Sequence, residues 1–188
     1  MPNEPKITGE RLLHPGRFIA FKCLQWTDSR GISRDWETAD RLATGAVVII
    51  ARLKPSDRVI LIRQYRPPAR AMVYEFPAGL MDKGETPETA AARELREETG
   101  YVASRFRVFP AAPSSAGLSN ESVHMVLAEI DEDATPNRNP VTEFDASEDI
   151  ETILVPLENL PRFYRDKCGE GHVFDAKVTT YVIAMGTS

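Results

Sequence analysis

The spacing of apolar and polar positions along the chain predicts a strand-rich protein. Five short runs of apolar and β-branched residues have the length of buried strands and lie at residues 46–51, 58–64, 102–109, 122–130 and 150–155. Before residue 45, aromatic residues are scattered among polar ones on both sides of a turn at residues 28–31. We therefore expect a small β-rich annex over residues 1–44 and a main domain over residues 45–188.

Two segments carry the signals of helix ends. Thr86 can cap a helix at its N-terminus and Gly100 can close it at the C-terminus, which predicts a helix over residues 87–99. A second predicted helix begins at an Asp175 cap, and its apolar residues are Val178, Tyr181, Val182 and Met185.

The segment between Glu129 and Glu151 is strongly acidic. It holds nine Asp and Glu residues against a single base, Arg138, and it includes two prolines. Such a composition is typical of an exposed, mobile loop.

Composition narrows the class of protein. The 188 residues are 42% hydrophobic and 27% charged, as in soluble globular chains. The longest apolar run, at residues 46–51, is far shorter than the roughly 20 residues that cross a bilayer. A net charge of −5 provides no basic field for nucleic acid, so we expect neither a membrane nor a nucleic-acid partner.

Cys23 and Cys168 are expected to be free thiols, and the N-terminal residues lack a signal-peptide pattern, which favours a cytoplasmic protein.

The predicted helix over residues 87–99 carries the candidate chemistry. On a helical wheel Glu94, Glu97 and Glu98 lie within an arc of about 100°. Like charges at these spacings destabilise a helix by about 0.2–0.5 kcal/mol per pair, so this face indicates a bound divalent cation. Carboxylates suit Mg²⁺ or Mn²⁺, and no cysteine or histidine cluster offers a zinc site. The alternative is a solvated acidic face.

The spacing of eight residues around this helix resembles the Nudix box. They are Gly79, Glu85, Arg93, Glu94, Leu95, Glu97, Glu98 and Gly100. Tyr101 stands where the box has an aliphatic residue. The resemblance implies an α+β protein with the Nudix fold, a mixed sheet between helices in an α/β/α arrangement. It also implies a metal-dependent hydrolase of nucleoside diphosphates linked to another group.

The resemblance assigns roles to the box residues. It implies that Glu94, Glu97 and Glu98 bind the metal, with the Ala78 carbonyl as a further ligand, and that Glu97 and Glu98 take part in catalysis. Arg93 and Glu85 would brace the box by ion pairing. Gly79 and Gly100 complete its structural positions.

Further segments resemble the ADP-ribose pyrophosphatase branch of this family, over about residues 18–185. They are RQYRPPARAMVYEFPAGL, the GLSN of residues 117–120 and the C-terminal FDAKVTTYVIAM. The branch implies a homodimer acting on a nucleoside diphosphate sugar, with a loop glutamate that activates water. Glu148 matches that glutamate, Glu143 is the competing residue, and a box glutamate such as Glu97 is the remaining alternative.

The branch also implies a substrate-binding set. It binds adenine between aromatic side chains of the annex and the partner subunit, which here match Trp36 and Phe18. The other matching positions are Arg41, Arg66 and Glu75. Without the resemblance, the aromatic residues would be assigned to local packing and the arginines to the surface.

Ala116 replaces a proline that is usual in the ADP-ribose branch. The substrate alternatives are therefore another nucleoside diphosphate derivative, such as GDP-mannose or oxidised GDP. A non-catalytic nucleotide sensor is a rival that predicts lost box acids. A hydrolase of RNA caps or polyphosphate is disfavoured by the net charge.

Overall fold

A computed structural model describes residues 3–42, 45–144 and 149–186. At the N-terminal side, where the sequence predicts the annex, lies an antiparallel sheet of β1 (Lys6–Pro15), β2 (Ile19–Thr27) and β3 (Ser33–Arg41). The predicted turn joins β2 to β3. There the Asp28 carboxylate accepts the backbone N–H groups of Arg30 and Ile32 at 2.9 and 3.0 Å.

The remaining described strands form a mixed sheet of nine. They are β4 (Ala46–Lys54), β5 (Arg58–Arg66), β6 (Ala71–Glu75), β7 (Ala78–Leu80), β8 (Arg105–Val108), β9 (Ala112–Pro113), β10 (Ser122–Asp131), β11 (Ile150–Pro156) and β12 (Val173–Phe174). The main order is β12-β6-β5-β4-β10-β8, while β7 pairs with β4, β9 with β10 and β11 with β5. The β4–β10 and β6–β12 pairs are parallel and the others are antiparallel.

Three helices accompany the sheet within the described ranges: α1 (Pro87–Thr99), α2 (Leu160–Gly169) and α3 (Ala176–Ala184). The Thr86 side chain caps α1 by accepting the N–H of Thr89, and Asp175 caps α3 by accepting the N–H of Lys177. Both predicted helices are confirmed, whereas α2 was not predicted. None of the helices in the described part of the chain has the length and apolar content to cross a membrane.

Strand β4 separates two hydrophobic cores. Its residues Val47 and Ile49 pack in a cluster that also contains Leu95 of α1. The alternate residues, Val48 and Ile50, pack in the cluster that contains residues of α2 and α3. Because successive side chains of a strand point to opposite faces, the sheet lies between α1 on one side and α2 and α3 on the other. This is the predicted α/β/α arrangement.

The acid-rich segment is more ordered than its composition predicts. Strand β10 continues to Asp131, and a 3₁₀ turn follows at residues 135–137. Asn137 is buried, accepts the N–H of Val102 at 2.8 Å and donates to the Asp131 carbonyl at 2.7 Å. The prediction of an exposed loop is therefore wrong at this position, because one buried amide side chain anchors the connection. Residues 145–148, which include Glu148, lie outside the described residues.

Candidate active site

Strand β7 and helix α1 bring the box residues together. Gly79 lies so close to α1 that a Cβ built on it would be 1.9 Å from Cδ of Glu94. The backbone N–H of Ala78 donates to Oε2 of Glu98 at 3.0 Å. A side chain at position 79 would displace the Glu94 carboxylate, and the neighbouring backbone N–H of Ala78 orients Glu98.

Two of the three helix carboxylates are buried. Glu98 is 2% exposed and Glu94 is 8% exposed, while Glu97 is half-buried. Burying a carboxylate is unfavourable unless hydrogen bonds and opposite charges compensate for the lost solvation. A solvated acidic face does not describe Glu94 and Glu98, because both carboxylates are buried.

Arg93 is hydrogen-bonded to two of these carboxylates and to Glu85. Its Nη1 donates to Glu94 at 2.7 Å and to Glu97 at 3.2 Å. Its Nε and Nη2 donate to the two carboxylate oxygens of Glu85 at 3.1 and 2.9 Å, and Nη2 also reaches the Leu80 carbonyl at 2.9 Å. The hydrogen bonds from Arg93 hold the pKa of Glu85 below its usual value. The same pair raises the pKa of Arg93.

The box acids form the donor set that a hard divalent cation prefers. Three carboxylates and a nearby backbone carbonyl at Ala78 offer only oxygen ligands, which suit Mg²⁺ or Mn²⁺. The Glu94 carboxylate occupies the position that a Cβ on residue 79 would take. Over residues 3–42, 45–144 and 149–186, however, no three acidic, histidine or cysteine side chains form a ready-made metal site. Arg93 is instead hydrogen-bonded to two of the three acids.

Gly100 closes α1 with φ of +75°, and the loop that follows β10 crosses it closely. A Cβ at this position would lie 2.4 Å from the backbone N of Val141. Farther along that loop, the N–H of Glu143 donates to the Glu97 carbonyl at 2.9 Å, and its carboxylate pairs with Nη1 of Arg96 at 3.0 Å. Glu143 is thus tied to the C-terminal turn of α1.

Arg66 and Glu75 contact each other. Nε of Arg66 donates to Oε1 of Glu75 at 2.9 Å, and these hydrogen bonds raise the pKa of Arg66. The pair lines a cavity of about 80 Å³ together with Ala78, Asp175 and Lys177. The structure therefore places both predicted substrate-binding residues beside β7, where they form an ion pair.

Trp36 and Phe18 lie far apart in the chain's fold. Trp36 is 50% exposed, and its indole N–H donates to the Gly117 carbonyl at 3.1 Å beside a cleft of about 340 Å³. Phe18 is 67% exposed and precedes Ile19, which pairs with Arg41. The N–H of Leu42 bonds the Phe18 carbonyl, and Trp36 is six residues from Leu42, so the two residues are about 20 Å apart along the strand. Residues this far apart in one chain do not enclose a single base between them.

Comparison with known proteins identifies the family. The NUDIX domain model matches residues 42–178. The chain belongs to the Nudix family. The ADP-sugar pyrophosphatase of Mus musculus is 34% identical over 98% of this chain and 88% of its own length. The ADP-ribose pyrophosphatase of Saccharomyces cerevisiae is 32% identical over 86% of this chain and 74% of its own.

A solved structure supports the Nudix fold. The crystal structure of an ADP compounds hydrolase superposes with a TM-score of 0.75, covering 100% of this chain and 99% of that one at 20% identity. At this identity the likeness concerns the fold alone. Nudix hydrolases generally depend on a divalent metal ion, which agrees with the oxygen donors gathered at β7 and α1.

The structure adds functional candidates that the sequence did not single out. Asn120 and Glu121 both contact Arg41, which the sequence predicts to bind the substrate. The GLSN motif pointed to this loop, but nothing in the motif indicated which strand it would meet.

Arg93→Ala should reduce both activity and stability. Removing the guanidinium breaks its hydrogen bonds to Glu85 and Glu94, and the loss of such a charged partner destabilises a fold by about 1–3 kcal/mol. A protein of this size then melts lower by about 2–4 °C per kcal/mol. We expect kcat to fall by about 10- to 100-fold, the scale seen when partners of metal ligands are removed. Steady-state kinetics and calorimetry measure both effects.

The stability loss in Arg93→Ala should depend on pH. Because the folded-state pKa of Glu85 is lowered, the pair contributes stability above the ordinary carboxyl pKa and loses it as the pH falls through the lowered value. The melting temperatures of wild type and variant should therefore converge in acid. An inactive Arg93→Ala enzyme that melts like wild type would instead place Arg93 in contact with substrate.

Proposed function

We propose that this Nudix hydrolase cleaves the pyrophosphate bond of ADP-ribose or a related nucleoside diphosphate sugar, giving a nucleoside monophosphate and a sugar phosphate. The observation that carries the proposal is the complete set of box acids on α1, two of them in contact with β7, in a chain whose relatives are named ADP-sugar and ADP-ribose pyrophosphatases. A nucleotide sensor without activity would have no need to retain all three acids.

We propose Mg²⁺, with Mn²⁺ as a substitute, bound by Glu94, Glu97, Glu98 and the Ala78 carbonyl. A bound ion of this kind polarises a phosphoryl oxygen and lowers the pKa of water. The chain prepares the site in two ways. The Ala78 N–H fixes Glu98, and Arg93 holds Glu94 and Glu97 at one side of the helix.

For the loop base we propose Glu148, with Glu143 as the competing residue. The carboxylate of Glu143 is paired with Arg96 and its backbone is bonded to α1. Those contacts favour an anchoring role for Glu143.

We propose that the protein is a homodimer whose annex, residues 1–44, mediates dimerisation and base stacking, while residues 45–188 form the catalytic domain. The separation of Phe18 from Trp36 within one protomer supports this arrangement, because a second copy is needed to complete an aromatic sandwich. Large apolar side chains exposed on and beside the annex also support it: Ile7, Leu12, Phe18, Ile19, Phe21, Ile32, Trp36 and Leu42.

We place the enzyme in the cytoplasm. Both cysteines are free thiols, Cys23 buried and Cys168 exposed, as is usual in a reducing compartment.

Trp36→Ala should raise KM far more than it lowers kcat. Stacking on a base is remote from the reacting phosphorus and acts equally in the ground and transition states. Base–aromatic stacking contributes about 1–3 kcal/mol, so KM should rise by about 5- to 150-fold. Trp36→Phe keeps a ring but loses the N–H to Gly117, so its KM should lie between the values of wild type and Trp36→Ala. An unchanged KM in an intact dimer would assign Trp36 to packing.

A substrate panel tests the proposed function. ADP-ribose, GDP-mannose, UDP-glucose, oxidised GDP and NADH are compared by kcat/KM with Mg²⁺ and with Mn²⁺. We expect ADP-ribose or another ADP-sugar to be the best substrate. Tight nucleotide binding without hydrolysis of any compound would favour the sensor.

A further inference from the structure

The loop at residues 117–121 is fastened to the annex strand β3. The N–H of Ala39 donates to the Leu118 carbonyl at 2.9 Å. At the end of the strand, Oδ1 of Asn120 accepts the N–H of Arg41 at 2.9 Å, and its Nδ2 donates to the Arg41 carbonyl at 3.3 Å. One side-chain amide therefore satisfies both backbone groups of Arg41, much as a neighbouring strand would.

The next residue holds the side chain of the same arginine. Nε of Arg41 forms an ion pair with Oε1 of Glu121, and the second oxygen of Glu121 accepts the hydroxyl of Ser114 at 2.6 Å. This ion pair uses Nε, and a guanidinium carries further N–H donors at Nη1 and Nη2 that can bind a second anion. The Arg41 side chain is about half exposed, so an incoming ligand can reach it.

The contacts of Asn120 and Glu121 with Arg41, called the bracket from here on, lie at the same end of the sheet as β7. Glu121 is two residues before Val123, which pairs with Ala46 of β4, and Ala46 pairs on its other side with Leu80 of β7. Two strand spacings, about 10 Å, separate these positions. The buried box acids contact the two residues of β7 just before Leu80.

We propose that Asn120 and Glu121 are positioning residues that hold Arg41 toward the phosphate arm of the bound nucleotide. The inference rests on the proposed function. Arginine suits phosphate because its planar donors match two oxygens, but its long side chain loses freedom on binding. A bracket that fixes both backbone and guanidinium beforehand removes most of that ordering from the binding step. The same loop bonds the Trp36 indole, so it orients two predicted substrate contacts.

A double-mutant cycle tests this role. Arg41→Gln, Glu121→Gln and the double variant are compared with wild type for kcat, KM and melting temperature on the best substrate at saturating Mg²⁺. We expect KM to rise by about 10- to 100-fold for Arg41→Gln, the scale of a lost charge-assisted contact, and by about 3- to 10-fold for Glu121→Gln. Each kcat should stay within about twofold of wild type. The double variant should be no worse than Arg41→Gln, because Glu121 acts only through that arginine.

Glu132→Gln is the matched control. Glu132 sits just past the opposite end of β10 and pairs with Arg58 at 2.6 Å, so it undergoes the same change in a similar ion pair. It should lower the melting temperature without changing KM. A KM increase in the double variant equal to the product of the increases for Arg41→Gln and Glu121→Gln would overturn the proposal. So would a Glu121→Gln enzyme that only melts lower, as the control does.

Equilibrium binding of ADP with Mg²⁺ provides the same cycle without turnover. A wild type that binds ADP with the expected coupling but hydrolyses nothing would refute the proposed function and uphold the bracket. An active enzyme in which the Arg41 and Glu121 substitutions act independently would uphold the proposed function and refute the role of Asn120 and Glu121. A chain that neither binds ADP nor hydrolyses any compound of the panel would overturn both.

Discussion

Glu98→Gln should lower kcat by about 10³-fold or more while the protein stays folded. The side chain is 2% exposed and accepts the Ala78 N–H at 3.0 Å, a bond that the amide oxygen of glutamine can still accept. The change removes a negative ligand from the proposed metal site. A loss of about 4 kcal/mol of transition-state stabilisation corresponds to this factor at 1.36 kcal/mol per decade.

Two further measurements make the Glu98 result specific. Titration with Mn²⁺ should give weaker binding in the variant. Without metal its melting temperature should equal or exceed that of wild type, because α1 loses a like-charge repulsion. Glu88→Gln, the same change at an exposed site in the first turn of α1, should keep full activity. A Glu98→Gln enzyme with a near-wild-type rate at saturating Mg²⁺ would refute the metal assignment.

Glu148→Gln should lower kcat by about 10²- to 10⁴-fold, the usual contribution of a general base. Affinity for metal and substrate should change little, because the proposed role of this acid is to accept a proton from the attacking water. Raising the pH should restore part of the rate, since hydroxide then replaces the missing base. A pH profile of kcat for wild type and variant measures this directly.

Glu143→Gln is the internal control for the loop acid. Its carboxylate pairs with Arg96 at 3.0 Å, and both side chains are about half exposed, a setting in which ion pairs contribute little to stability. We therefore expect nearly full activity. If Glu143→Gln lost activity while Glu148→Gln kept it, Glu143 would be the loop base and Glu148 would not. Two active variants would assign water activation to a box glutamate such as Glu97.

Local signals predicted the elements that carry the site. Thr86 and Gly100 mark the ends of α1 in the sequence, and the structure uses both as caps. Strand β7 was missed because three residues cannot display a periodic pattern, and α2 because its ends carry no capping side chain that bonds the helix. In both cases tertiary packing determines the element more than its own sequence does.

The sequence predicted which acids share a helix face but not what surrounds them. The contact between Arg93 and Glu85 follows from the box, since both belong to it. The bonds from Asn120 to Arg41 join residues 79 positions apart, and the approach of Gly79 to Glu94 depends on how β7 packs on α1. Such contacts are set by the register of strands, which the order of residues does not display.

Product analysis with ADP-ribose tests the central claim most directly. The metal-free protein is incubated with ADP-ribose before and after addition of Mg²⁺, and the nucleotides are separated and quantified. The account predicts that AMP and ribose 5-phosphate accumulate in equal amounts only after the metal is added, and that a chelator stops the reaction. Intact ADP-ribose at saturating Mg²⁺ and Mn²⁺, or AMP formed at the same rate without metal, would contradict it.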